Sequence, residues 1–249
     1  MRRVLNGGQI CLCPDYVFVP NHVKVDFVQR LQAEFAQFFP DYLKNPNAVS
    51  IVNDRNYDRV TGLINDAVEK GAKKISVTSK AEASLLPDRA SRRIPPTILQ
   101  DVPETARIEE EEIFGPVLVI HGYEKMQEVI DYISTRPSPL AAYWYGEDRE
   151  DFKRFLVETT SGGVTRNDGI VHAVLPDAPF GGIGNSGSGA YHGKAGFDTF
   201  THQRTVSNVT QEKGIAEDFV NGTLMSDAFQ QGVNESIKES IEKFKSQLA

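Results

Sequence analysis

A chain of 249 residues, 40% hydrophobic and 24% charged, with a mean hydropathy of −0.35, has the balance of a globular protein able to bury a substantial core in one or two domains. Its formal net charge of −7 and pI of about 5.3 argue against nucleic acid or an anionic membrane surface as a partner. The 2 cysteines, two positions apart, cannot bridge distant parts of a fold, no apolar run reaches the roughly 20 residues that span a bilayer, and the opening residues are too short in apolar content for a signal peptide, so a cytoplasmic protein is expected.

In chain order, the segment around Cys11 comes first. Gly7 and Gly8 allow the backbone to bend sharply and bring a reactant close to main-chain N–H groups, because glycine has no Cβ to block the approach. Pro14 then stops any helix, and residues 15–20, β-branched and aromatic between prolines, read as a buried strand. Asn21 is expected to cap a helix running to about Phe38, with Phe27, Val28, Leu31, Phe35 and Phe38 inward. A second helix from Asp54 places Tyr57, Val60, Ile64, Ala67 and Val68 on one face, with Gly71 where a left-handed terminal residue is wanted. Strand candidates follow at residues 74–77, 96–102 and 117–121, with a polar surface loop over 78–93. A helix from Lys125 turns Met126, Val129, Ile130 and Ile133 inward, followed by a strand at 140–145, a helix at 147–157 and a last short strand at 163–166. This alternation predicts an α/β fold with a largely parallel sheet and flanking helices. Residues 204–209 read as an isolated C-terminal strand and residues 214–249 as a polar helical tail, with Val233, Ile237, Ile241, Phe244 and Leu248 on one stripe.

Three short segments carry the chemistry. Taken alone, Cys11 and Cys13 favour structural burial, and a metal site is not supported because no second Cys or His pair stands at ligand spacing. The acidic run 109–112 taken alone reads as a solvated surface. Gly182, Gly184 and Gly187 spell a dinucleotide fingerprint, but no strand immediately precedes them and no acidic residue follows at the required distance, so that reading is rejected. Together, however, Asn6-Gly7-Gly8-Gln9-Ile10-Cys11 with Pro14-Asp15-Tyr16, Glu112-Ile113-Phe114-Gly115-Pro116, and the glycine-rich stretch from Pro179 to Lys194 occur in the order of the corresponding motifs of the aldehyde dehydrogenase superfamily. The chain resembles its coniferyl and fatty aldehyde dehydrogenase branch over about residues 5–206.

The resemblance implies a nucleophilic cysteine at Cys11, and a nicotinamide site in which Glu112 holds the ribose and Phe114 packs beside the ring. The cofactor is then NAD or NADP, touched by this chain only at its nicotinamide half, and the substrate a small aldehyde, aromatic or medium- to long-chain aliphatic. His192 is left off the site, since a single histidine is more often a structural donor. In the family the cofactor domain, the glutamate general base and the oxyanion-hole asparagine precede the cysteine, which here stands at position 11. A catalytic domain over residues 1–202 without its N-terminal cofactor domain is therefore expected, followed by an oligomerisation-type strand and amphipathic tail over 203–249. Such a chain is expected to be inactive alone and to form a homo-oligomer. The rival expectation is a non-catalytic remnant that acts through protein association.

Overall fold

The computed structural model describes residues 2–207, 222 and 226–248. Residues 1–201 and 202–249 form two compact units. The first unit is an α/β structure, and its central sheet explains most of the burial. Four strands, β1 (Tyr16–Pro20), β2 (Lys73–Ser76), β3 (Thr97–Gln100) and β4 (Val117–Tyr123), are arranged in the order β1-β4-β3-β2. β4 pairs in parallel with both β1 and β3, with Tyr16 opposite Val119 and Thr97 opposite Val117, while β2 adds an antiparallel edge.

Side-chain alternation assigns each face its helix. Leu99, Val117 and Val119 point to the face covered by α2 (Asp54–Glu69), meeting Tyr57, Val60, Leu63, Ile64 and Ala67. Ile98, Leu118 and Ile120 point to the other face, where α1 (Asn21–Phe38) contributes Val28 and Phe35. Both faces are covered, so β4 is nearly all apolar. Full burial of such side chains contributes on the order of 1.5–3 kcal/mol each. A third cluster joins α3 (Met126–Ser134) and α4 (Glu150–Glu158) to the parallel pair β5 (Ala142–Trp144) and β6 (Val164–Arg166), through Met126, Ile130, Phe155 and Trp144. A short helix, α5 (Gly193–Thr199), closes the glycine-rich segment.

Several local expectations are corrected. α1 starts at Asn21 rather than after it, with Pro20 in the cap position; the Asn21 amide instead donates to Glu124 Oε1 at 2.8 Å. The α2 cap is Asn53, whose side chain accepts from the Asn56 N–H. Phe38 and Val68 lie exposed: Phe38 is the last residue of α1, and Val68 flanks the stripe on which Ala67 is buried. The 78–93 loop is not wholly superficial: Glu82 is buried and its carboxylate accepts from the Tyr42 and Leu43 N–H groups. Of the expected oligomerisation-type strand over 204–209, residues 204–207 lie in no strand within this single chain; residues 208 and 209 lie outside the described residues. A strand exists only through its ladder, and this stretch pairs with no other described segment.

The second unit contains α6 (Asp227–Leu248), the described part of the expected tail. Val233, Ile237, Ile241 and Phe244 form an exposed stripe on it. Among the described residues no helix is long and apolar enough to cross a membrane.

Candidate active site

The backbone before Cys11 takes three consecutive left-handed residues, Asn6, Gly7 and Gly8, at φ 51°, 65° and 76°. Glycine is required at position 8 for a second reason. A Cβ there would stand 2.1 Å from the Gly115 carbonyl oxygen, so the cysteine segment and the Glu112–Phe114 motif touch backbone to backbone. The turn itself is closed by the Cys13 N–H donating to Ile10 O at 2.8 Å, which leaves Cys11 exposed and Cys13 buried. Burial pushes the Cys13 thiol above its ordinary range, with the nearby Arg3 cation opposing.

Residues far apart in sequence hold this turn. Arg3, only 3% exposed, donates through Nη1 to the Cys13 and Pro14 carbonyls and to Asp15 Oδ1 at 2.6 Å. The second Asp15 oxygen accepts from the Ile113 N–H at 3.2 Å, tying the two motifs again. Gln9 bridges outward, donating to Ser50 O and accepting from Val52 N–H. From β5, the Tyr143 hydroxyl donates to Leu12 O at 2.7 Å. Gln9 and Asp15 stood in the sequence only as members of the cysteine motif, and Arg3 and Tyr143 were not singled out. The one usable signal was a tyrosine inside an apolar strand, whose hydroxyl needs a partner when buried.

The second motif is fixed from α2. Arg59 donates to the Glu112 and Ile113 carbonyls at 2.9 and 2.7 Å, and Gly115 packs so closely on Val60 that a Cβ would come within 2.8 Å of it. The Glu112 carboxylate remains exposed and makes no hydrogen bond or ion pair among the described residues. The protein around it nevertheless pushes its pKa above the usual carboxylate range; Asp15 adds to that rise, and Arg3 and Arg59 oppose it. Phe114 is half-buried with φ at 46°, a strained conformation for a bulky residue that costs about 1–3 kcal/mol and persists only where the surroundings enforce it. The acidic run divides sharply. Glu112 faces solvent, whereas the Glu109 side chain is 3% exposed, accepts from Tyr132 OH at 2.7 Å and stands 3.5 Å from His121 Nε2.

The glycine-rich segment closes on itself. Cβ atoms at Gly181 and Gly182 would stand 2.1 Å from Gly189 O and 2.2 Å from Ser186 O, and one isolated bridge joins Phe180 to Tyr191. These glycines are spent on the loop's own backbone contacts. The Phe180 ring lies between His172 and His192, with centroids at 6.1 and 6.2 Å, and Tyr143 follows His172 at 6.0 Å.

Comparison with known proteins places this geometry. The sequence profile of the aldehyde dehydrogenase family matches residues 1–206. The chain is 45% identical over 204 residues to a Caulobacter vibrioides protein named probable coniferyl aldehyde dehydrogenase, covering 82% of this chain and 42% of that protein. It is 40% identical over 205 residues to the dimeric NADP-preferring aldehyde dehydrogenase of Rattus norvegicus, again covering 82% and 42%. A solved structure of the substrate-bound state of Staphylococcus aureus AldH superposes with a TM-score of 0.72 at 35% identity, covering 86% of this chain and 46% of that one. The chain thus spans about two fifths of the length of the curated relatives it matches. The extent of the profile match and the paired cysteine and Glu112–Phe114 segments lead to one conclusion: the chain belongs to the aldehyde dehydrogenase family.

Proposed function

We propose that this chain is the catalytic portion of an NAD(P)-dependent aldehyde dehydrogenase, with Cys11 as nucleophile and Glu112 and Phe114 at the nicotinamide end of the cofactor. The observation that carries the reading is the backbone contact between Gly8 and Gly115, reinforced by Asp15 on Ile113, which unites segments about a hundred positions apart into one site. Cys11 has the required accessibility on its turn, while Cys13 is buried under it. In this reading the Cys11 sulfur adds to the aldehyde carbon, the carbonyl oxygen takes up the electron pair, and backbone N–H groups of the turn stabilise that oxyanion.

The residues present fit a nicotinamide riboside. An exposed carboxylate without a protein partner can accept two hydrogen bonds from a vicinal diol, and a half-buried aromatic ring fixes a flat one. NAD(P)+ held there would supply the two-electron acceptor. Arg59 serves this end by holding the Glu112 and Ile113 carbonyls, so that the carboxylate projects from a fixed backbone. Loss of a hydride from the adduct carbon to that acceptor would leave an acyl thioester on Cys11, which water cleaves to the carboxylic acid, returning the thiol. A coniferyl-type aromatic aldehyde is the substrate class suggested by the Caulobacter relative. Glu112 and Phe114 are the only cofactor contacts assigned to this chain, so the isolated chain should bind NAD(P)+ weakly and turn over aldehyde little.

Iodoacetamide labelling with mass-spectrometric mapping tests the assignment. Cys11 should be carboxamidomethylated at least tenfold faster than Cys13, an order-of-magnitude difference expected of an exposed against a buried thiol. Equal labelling of the two, or labelling of Cys13 alone, would refute Cys11 as nucleophile.

A further inference from the structure

The Leu12–Cys13 peptide unit is held at both ends. Its N–H, on Cys13, donates to Ile10 O and closes the turn; its C=O, on Leu12, accepts from the Tyr143 hydroxyl at 2.7 Å, across 131 positions of sequence. The Ile170 backbone comes near the same hydroxyl, and burial raises its pKa to about 12, so it remains a neutral donor at physiological pH. Ile170 itself sits at φ 73°, a left-handed conformation that is a true outlier for a β-branched residue.

Two residues later the chain is pinned again. The His172 N–H donates to the buried Thr165 Oγ1 at 3.1 Å, and His172 Nδ1 lies 2.6 Å from the same oxygen. The His172 ring packs on Tyr143 from one side and fills the space beside Gly163, where a Cβ would come within 2.5 Å of it. The strained 167–173 loop is thereby fastened to β6, and its His172 ring backs the Tyr143 ring.

We propose that Tyr143 is a positioning residue for Cys11: braced by the His172 ring and through it by the Thr165–His172 contact, it fixes the nucleophile turn through the Leu12 carbonyl. This rests on the assignment of Cys11 as nucleophile, but its physical content, the order of the turn, can be measured separately. A hydrogen bond to a half-buried carbonyl is worth enough to change local opening by about three- to tenfold when removed.

The test uses the full chain and two readouts, amide hydrogen exchange over residues 9–14 and the iodoacetamide rate at Cys11 as a function of pH. In Tyr143→Phe, exchange at the Cys13 amide should rise about three- to tenfold and Cys11 alkylation should slow by a similar factor, with Cys13 still protected and β1 to β4 exchanging as before. Unchanged Cys13 amide exchange in the folded variant would overturn the proposal. If Tyr143→Phe uncovers Cys13, Thr165→Val decides, because it leaves the hydroxyl in place: faster exchange confined to residues 10–13 and 167–173 supports the brace, and exchange at wild-type rates refutes it. A variant that loosens the turn while the wild-type Cys11 proves unreactive would retain the brace and discard the nucleophile assignment.

Discussion

The Cys11 turn and helix α6 differ most in what holds them. The turn is bound by Arg3, Gln9, Asp15 and Tyr143, through partners up to 131 positions away, and by a glycine contact that admits no side chain. On α6 every described side chain from 227 to 246 is exposed, and its described bonds are local ones such as Ser240 Oγ to Ser236 O. A segment with unfavourable local geometry survives only when distant groups over-determine it, while a helix can form on local bonds and propensity. The turn should therefore respond strongly to single substitutions and the helix hardly at all.

The sharpest way to break the turn is Asp15→Ala. It strips the nearly buried Arg3 guanidinium of its counter-charge and leaves the Ile113 N–H without its acceptor. Burial already depresses the Arg3 pKa, with Asp15 the main opposing influence. Loss of one partner of a buried pair costs about 3–5 kcal/mol, to be read from urea unfolding. A loss below about 1 kcal/mol would mean that solvent or another group replaces Asp15.

An intermediate effect should come from pH, through the cluster packed on the β1 aromatics Tyr16 and Phe18. His121 is 16% exposed, and its pKa is lowered to about 4, by burial first and then by Arg136 and Lys24. Between about pH 4 and the unfolded value of 6.5, the unfolded chain holds a proton that the folded one does not, so stability rises with pH across this window. It is fully present above 6.5 and is lost on acidification towards 4, by at most about 3 kcal/mol. Glu109, whose carboxyl burial pushes upward, acts with the opposite sign and reduces the net effect. Thermal melts from pH 4 to 7 should show the slope, and His121→Phe should flatten it; an unchanged slope would assign it to other groups.

The smallest effect is expected on α6. Ile241, 48% exposed, should tolerate serine with less than about 0.5 kcal/mol change in the sheet transition. A larger loss would show that the stripe is covered in solution.

Legibility in the sequence followed the range of the determining contacts. The nearly unbroken apolar run from 117 to 121 reports a strand covered on both faces and the spacing of Tyr57, Val60, Ile64 and Ala67 a helix with one apolar face, and the structure follows them. Phe38 and Val68 were placed on such helix faces but stay exposed, because spacing defines a face and not how wide or how long a partner covers it. Glu109 and Glu112 sit in one run of like residues. Only the position of Tyr132, His121 and Arg136 decides that the first is enclosed and the second exposed.

For the candidate site, Cys11 taken alone read as buried and the acidic run as solvated, and only the motif order shared with the aldehyde dehydrogenases singled out Cys11 and Glu112–Phe114. Their contact was not readable, because nothing local to Gly8 names Gly115 as the backbone that fills the space a Cβ would take. Nor could the sequence pair Arg3 with Asp15, Arg59 with the Glu112 and Ile113 carbonyls, or Tyr143 with Leu12. By itself it determined strand and helix periods and which short segments could bend or react. Tertiary structure alone decided which of those segments meet and which buried charge and hydroxyl hold them, because a hydrogen bond depends on distance in space and carries no trace of separation along the chain.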